Sequence, residues 1–299
     1  MWFRNLRVYT FSQEFSVPGN LQEALVQNQF TPCNRSEPMS LGWVSPFAQS
    51  ELMAVEQKDA VLLCLRKEEK VVPASAVKEE LEHRKTQFEQ ENAYAMPRKD
   101  QKALKEDIMN EMMPRALSKF ALTWGIIDIK NQRVYVDSSS AKKAEEFTSH
   151  LRTSLGSLPV QPFASEGPAS LFMTDWVKKM KAPDGFEMGQ DAELKHLSED
   201  SMVVKIKGHD LDMPEVQEHL KQNKRVTELA MSYQENILFS LADDYGIKRI
   251  KFTDQVMEQR DTDGLDAAAL LDSDLALMQG EFSQLVDALA EAFGQAAND

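Results

Sequence analysis

Residues 134–160, VYVDSSSAKKAEEFTSHLRTSLGSLPV, confine the fold more tightly than any other stretch. The run Val134, Tyr135, Val136 is strand sequence, and the three serines that follow can each cap a helix. Ala144, Phe147, Leu151 and Leu155 then recur at helical spacing, so one face of that helix packs on a sheet. Gly156 supplies a left-handed stop, and Pro159 lies just beyond. Lys142 and Lys143 stand in the first turn, where the helix dipole is already positive. They are either solvated beside Glu145 and Glu146 or part of an anion site with the free N–H groups and serine hydroxyls.

The chain before this stretch supplies more sheet and an arm. Residues 2–15 read as a first strand, with Phe3, Leu6, Val8 and Phe11 in imperfect alternation. Residues 21–30 form a short helix, followed by a polar loop and an aromatic turn at Leu41-Gly42-Trp43. Residues 60–65 are an apolar strand, which the charged tract 66–70 continues as a hairpin leaving the core. From Pro73 a helix capped by Ser75 carries the thin stripe Val77, Leu81, Phe88. A second helix after Met96-Pro97 carries Leu104, Ile108 and Met112. Two narrow-striped helices joined by a short break predict an antiparallel arm. Residues 115–120 then begin a further helical turn, in which Leu117 and Phe120 are interface knobs or a cover for the arm's base. Residues 122–129 and 133–136 form a hairpin that delivers the chain to the helix at 141–155.

Beyond it, 159–168 is linker-like, and Thr174 caps a short segment over 175–181. Trp176 reads as buried, with a base-stacking platform beside Lys178, Lys179 and Lys181 as the alternative. Residues 202–207 alternate, Val204 and Ile206 pointing one way and Val203, Lys205 and Lys207 the other. Residues 224–232, 237–243 and 247–252 predict a meander with Tyr245-Gly246 at the second turn. In its last strand Ile250 and Phe252 face the core while Arg249 and Lys251 face outward. A short strand near 275–278 and a final helix opened by Gly280, with Phe282, Leu285, Leu289 and Phe293 on its buried side, complete the chain. The expected class is α+β, a mixed body with antiparallel sheets and a projecting helical arm. The segments are 1–72 and 122–170 of the central body, 73–121 the arm with its interface turn, 171–252 the meander region, and 253–299 the acidic end.

Charge decides which functions are open. The net charge of −14 argues against an indiscriminate nucleic-acid binder. Yet from Asp254 onward eleven acids stand against Arg260 alone, which leaves the rest nearly balanced. Exposed charges more than ~8–10 Å apart are largely screened at cellular salt, so a basic surface works if the acidic end lies elsewhere. Only Cys33 and Cys64 occur, without paired spacing, which fits reduced thiols in a cytoplasmic protein. No apolar run approaches the ~20 residues of a membrane span, and the alternating MWFRNLRVYTF is a strand and not a signal peptide.

Familiar catalytic motifs are absent: no glycine-rich phosphate loop, HExxH, paired CxxC or GxSxG elbow occurs. His83, His150, His196, His209 and His219 have no ligand-spaced neighbours. Asp261-Thr262-Asp263-Gly264 resembles a calcium loop, but with Gly264 sixth the twelfth residue is Leu270 where glutamate is required, so it is a turn. Asp243-Asp244 likewise opens a hairpin turn.

In order along the chain, WFRNLRVY at the start, QFTPC at 29–33, LGWV at 41–44, RKEEK at 66–70, MPRALSKF at 113–120 and SAKKAEEFTSHLRTSLGSLPV at 140–160 resemble the bacterial recombination-associated protein RdgC family. TDWV at 174–177, DAELK at 191–195 and the closing IKRIKF extend the resemblance over essentially the whole chain. It implies a cytoplasmic, nucleoid-associated homodimer that closes as a ring around duplex DNA, binds single strands as well, and restrains RecA. It implies no enzymatic activity, no cofactor, no metal and no membrane. Candidate phosphate contacts are then Lys142, Lys143, Lys205, Lys207, Lys224, Arg225, Lys248, Arg249 and Lys251. Candidate dimer contacts are Arg115, Leu117 and Phe120. The chain departs from the family at Leu117, where phenylalanine occurs, and at Gly208-His209, where Lys-Gln occurs. Two rivals stand beside this reading. One is an acidic protein-interaction module acting on a recombination partner without touching DNA. The other is a hydrolase or nuclease using carboxylates such as Asp243, Asp244 or Asp254.

Overall fold

The computed structural model describes residues 1–47, 50–164, 167–198, 202–260 and 266–295. The first sheet takes β1 (Arg7–Phe11), β2 (Met39–Val44), β3 (Ala54–Glu56), β4 (Ala60–Val71), β5 (Leu117–Asp128), β6 (Arg133–Val136) and β7 (Val160–Pro162). Its strands run β2-β4-β5-β6-β1-β7, with β3 also on β4. Helices α1 (Leu21–Gln27), α2 (Ala74–Asn92), α3 (Arg98–Met112) and α4 (Ala141–Leu155) belong to this half. The second half contains α5 (Ala169–Lys179), β8 (Phe186–His196), β9 (Val203–Ile206), α6 (Pro214–Lys221), β10 (Lys224–Tyr233), β11 (Ile237–Ala242), β12 (Ile247–Phe252), α7 (Asp254–Met257) and α8 (Ala267–Gln295). Its sheet has the order β12-β11-β10-β8-β9. Every named strand pairing in both sheets is antiparallel.

The layers follow from which strand faces are apolar. On one side of the first sheet, Val61, Leu63, Ile127 and Val134 pack against Ala144, Phe147 and Leu151 of α4 and against α1. Gly125 makes room there, since a Cβ would lie 2.3 Å from the Phe147 ring. On the other side, Leu62, Ile126 and Tyr135 share one core with α5, α8 and the inward residues of the second sheet. Among the described residues, no helix packs on the outward face of the second sheet. The two sheets meet where Leu6 pairs with Ile247 in an isolated bridge.

Most local readings hold. Ser140 caps α4, accepting from Lys143 N, and Gly156 ends it at φ 77°. The hairpin at β5–β6, the three-stranded meander and the two-helix arm are present, with Arg84 of α2 bridging to Glu111 of α3. Trp176 is buried, and its ring stacks on Phe293 with centroids 5.9 Å apart.

Five expectations are corrected. Residues 115–120 are not helical: a 3-10 turn at Met113–Arg115 leads into β5, because the charged tract of β4 continues as strand and pairs Val71 with Leu117. Leu117 and Phe120 therefore point to opposite faces of a strand. The helix near Thr174 begins five residues earlier, at Ala169. Thr174 sits inside it, donating to Ser170 O and accepting from Val226 N at 2.9 Å, so the hydroxyl ties α5 to the sheet. No strand forms at 275–278 and no helix starts at Gly280; α8 runs through both. Leu41-Gly42-Trp43 is the middle of β2 and not a turn. Ser75 does not cap α2, which starts after Pro73 without a side-chain cap. Strands β3 and β8 and helix α6 were not anticipated, and β1 is shorter than the span 2–15. The turn expected at 261–264 lies outside the described residues.

Candidate nucleic-acid interface

On the second sheet, alternation separates a core face from an outward one. Ala192 and Leu194 of β8, Leu229 and Met231 of β10, and Ile250 of β12 are buried. Glu193 and Lys195 of β8 alternate with them and point outward, as does Lys205 of β9, which is paired directly with Glu193. Glu193 also faces Glu228 of β10, and Arg225 faces Lys195. Strict alternation would send Lys248 and Arg249 to opposite faces. A register shift between Leu238 and Ser240, with Arg249 at φ 54°, places both on the outward side. Lys251 follows one position beyond Ile250, opposite Leu238.

The result is a ladder of charge. Glu193 takes Lys205 at 3.0 Å and Lys195 at 3.3 Å. Glu228 takes Lys248 at 3.3 Å and is also in contact with Arg249. Four of these groups, Glu193, Lys205, Glu228 and Arg249, line a hollow of about 170 Å³ together with Lys207 and Ser240. Burial pushes the Glu193 carboxyl up, but Lys205 and Lys195 outweigh it and hold it below the usual range. Asp191 accepts from Gly208 N at 2.9 Å, which fixes the turn (φ 63° at Gly208) just after Lys207.

Sequence-nominated cations therefore divide. Lys205, Lys207 and Arg249 line one hollow, and Lys248 joins them through Glu228, with Arg225 and Lys251 on the same face. Lys224 does not join them. It is buried, its Nζ 3.1 Å from His219 Nδ1 and donating to Gln222 Oε1 at 3.2 Å, because it alternates with Arg225 toward the core side. Lys142 and Lys143 are exposed on the first turn of α4. That turn is tied to the second sheet by Arg7, which donates to Ser139 O at 3.0 Å and to Asp244 Oδ2 at 2.7 Å. Three members of the face escaped the sequence reading: Lys195, its carboxylate neighbour Glu193, and Glu228 across from it. The alternation Asp191, Glu193, Lys195 around buried Ala192 and Leu194 was the signal for the first two.

The candidate dimer residues lie at the far end of the β4–β5 ribbon. Leu117 is 82% exposed and Phe120 51%, and Leu122, Val71 and Met39 are exposed beside them. Arg66 is held between the rings of Phe30 and Phe120, 4.8 and 4.6 Å from their centroids. Arg115 lines a neighbouring hollow of about 320 Å³ with Val72, Pro73, Met112 and Ala116. Beneath them Glu68 accepts from Ser118 Oγ and from Cys33 N, which keep its carboxyl below the ordinary range.

Among the described residues, no group of three or more His, Cys, Asp or Glu side chains is arranged to hold a metal ion. No helix of the described residues is long and apolar enough to cross a membrane.

Fold and site together define a two-sheet α+β protein whose candidate site is an uncovered, charged sheet face and not a cleft. A family model described as "Putative exonuclease, RdgC" matches residues 1–296. Recombination-associated proteins RdgC of Yersinia enterocolitica and of Enterobacter sp. (strain 638) are each 38% identical over 98% of both chains. That of Tolumonas auensis is 37% identical over the same share. The chain belongs to the RdgC family of recombination-associated proteins.

Proposed function

We propose that this protein is a homodimer that closes as a ring around duplex DNA, without marked base preference, and so restrains RecA during recombination and replication on the nucleoid. The observation that carries the reading is the outward face of the second sheet. There, cations from β8, β9, β10 and β12 gather on one surface of a chain whose net charge is −14. Lysines and arginines dispersed over strand faces suit phosphate oxygens. Reading bases would require a helix or ribbon presenting side chains to base edges in a groove. The exposed Leu117 and Phe120 supply an apolar surface for a second copy. The relatives' names place them in recombination. The protein acts by binding, on single strands as well as duplex, and uses no cofactor.

Binding to duplex falls with salt by a slope of about −0.9 per neutralised phosphate; an affinity nearly independent of salt overturns the electrostatic reading. A high-salt wash strips the ring from linear duplex and leaves it on closed circles of the same sequence. Equal loss from both overturns encirclement. Cleavage of a plasmid by the pure protein with Mg²⁺ or Mn²⁺ overturns the non-catalytic reading.

A further inference from the structure

We propose that Glu193 and Glu228 set how tightly this face holds DNA, by competing with phosphate for the cations that would contact it; the proposal rests on the duplex reading above. The two glutamates are direct partners across β10 and β8. Like charges placed directly opposite in a sheet destabilise it unless something offsets them. Here the offset is four cations: Lys195 and Lys205 on Glu193, Lys248 and Arg249 on Glu228. Depth distinguishes the two signs. The glutamate side chains are 20% and 19% exposed, whereas Lys205 and Arg249 are 66% and 62% exposed. The glutamates form the floor of the hollow and Lys205 and Arg249 its rim, while Lys248, at 28%, lies nearly as deep as the glutamates. Glu193 stays ionised at neutral pH because its lysine partners outweigh its burial.

A phosphate arriving at this rim does not meet free cations. It takes each one from a carboxylate, so one ion pair is made as another is lost, and the glutamate left behind repels the newcomer. Each exchange subtracts the modest worth of an exposed ion pair from the phosphate contact. The face therefore holds a duplex more loosely than its count of lysines and arginines suggests, which suits a protein that must release or move along its DNA.

The test uses the full chain and a short labelled duplex at fixed salt, with affinity read by fluorescence anisotropy. Glu193→Gln and Glu228→Gln each tighten binding about threefold and the double variant about tenfold. Glu23→Gln, the same charge change on exposed α1, shifts it less than about twofold. Because glutamine could disturb the sheet, a second measurement examines coupling. Lys205→Gln weakens binding more in the Glu193→Gln background than in the wild type, where Lys205 is already engaged. Unchanged or weaker binding by the double glutamine variant, or no coupling, overturns the inference. If the wild type binds no duplex, or if Lys205→Glu with Arg249→Glu leaves binding intact, the duplex reading falls and takes this one with it. Wild-type binding that those reversals abolish, without tightening by glutamine, overturns this inference alone.

Discussion

Beside the Leu6–Ile247 bridge, Arg7 ties the two sheets together through its side chain. From β1 it donates to Asp244 O at 3.1 Å, to Asp244 Oδ2 at 2.7 Å and to Ser139 O at 3.0 Å, joining the β11–β12 turn to the cap of α4. The backbone at Gly246 comes so near that a Cβ would lie 2.6 Å from Arg7 Cζ. Arg7→Ala strands two carbonyls and a carboxylate. Because Asp244 is half exposed, the loss is about 2–3 kcal/mol rather than the full cost of breaking a buried pair, read by urea unfolding. Asp244 adds a pH signature. Burial pushes its carboxyl up, but Arg7 outweighs burial and holds it below the ordinary value of 3.8. A depressed folded pKa gives stability that is full above the unfolded value and fades as pH falls through the folded one. The stability gap between wild type and Asp244→Asn is therefore greatest near neutral pH and closes in acid; a gap unchanged by pH refutes the ion pair. None of this was legible in the sequence. Arg7 meets a partner 237 positions away, and local alternation says nothing about such a contact. Lys248 and Arg249 were illegible for a different reason, since a bulge cancels the alternation that would have separated them.

Among the elements, legibility follows how local the packing is. The α2–α3 arm was readable because its stripes and their spacing are contained in the arm itself, and α4 because cap, face and stop all fall within residues 134–160. Strand β8 was missed because Met188, Gly189 and Gln190 blur its alternation next to a register shift in β10. Helix α6 was missed because it buries only Val216 and Leu220. The long α8 was misread because Gly280 looks like a boundary. Only when the helix is drawn through it do Leu275, Met278, Phe282, Leu285, Leu289 and Phe293 share one buried face. That correction has a consequence. A Cβ at Gly280 meets nothing within 4 Å, and glycine inside a helix costs about 1 kcal/mol relative to alanine. Gly280→Ala thus stabilises the protein by about 0.5–1 kcal/mol, raising the denaturation midpoint at unchanged m value. Destabilisation would show that a strand-to-helix junction lies there after all.

At the scale of the whole molecule, an acidic chain can present cations because the second sheet separates its charges by depth. Phe282, Leu285 and Phe293 of α8 pack in the core that the sheet's inward residues share. Its acids therefore lie behind the sheet from Lys205 and Arg249. Packed layers stand about 10 Å apart, and charges more than ~8 Å apart are largely screened at physiological salt. Electrostatics of this kind weakens with salt and cannot by itself keep a protein on DNA. Retention on a closed circle requires a closed protein, and the surface we propose for closure is the ribbon end, where Leu117 at 82% and Phe120 at 51% face solvent on opposite sides of β5. Residues so exposed contribute little to the fold of one chain. On the proposed ring, Leu117→Asp with Phe120→Ala therefore leaves thermal unfolding close to wild type but opens the ring at this contact, which lowers the sedimentation coefficient. The same variant keeps salt-sensitive binding to linear duplex, since the cations of the second sheet are untouched, and loses the wash-resistant fraction on circles. A wild type that sediments as a monomer at micromolar concentration, or a variant still held on circles, would mean that charge alone accounts for binding and that no ring forms.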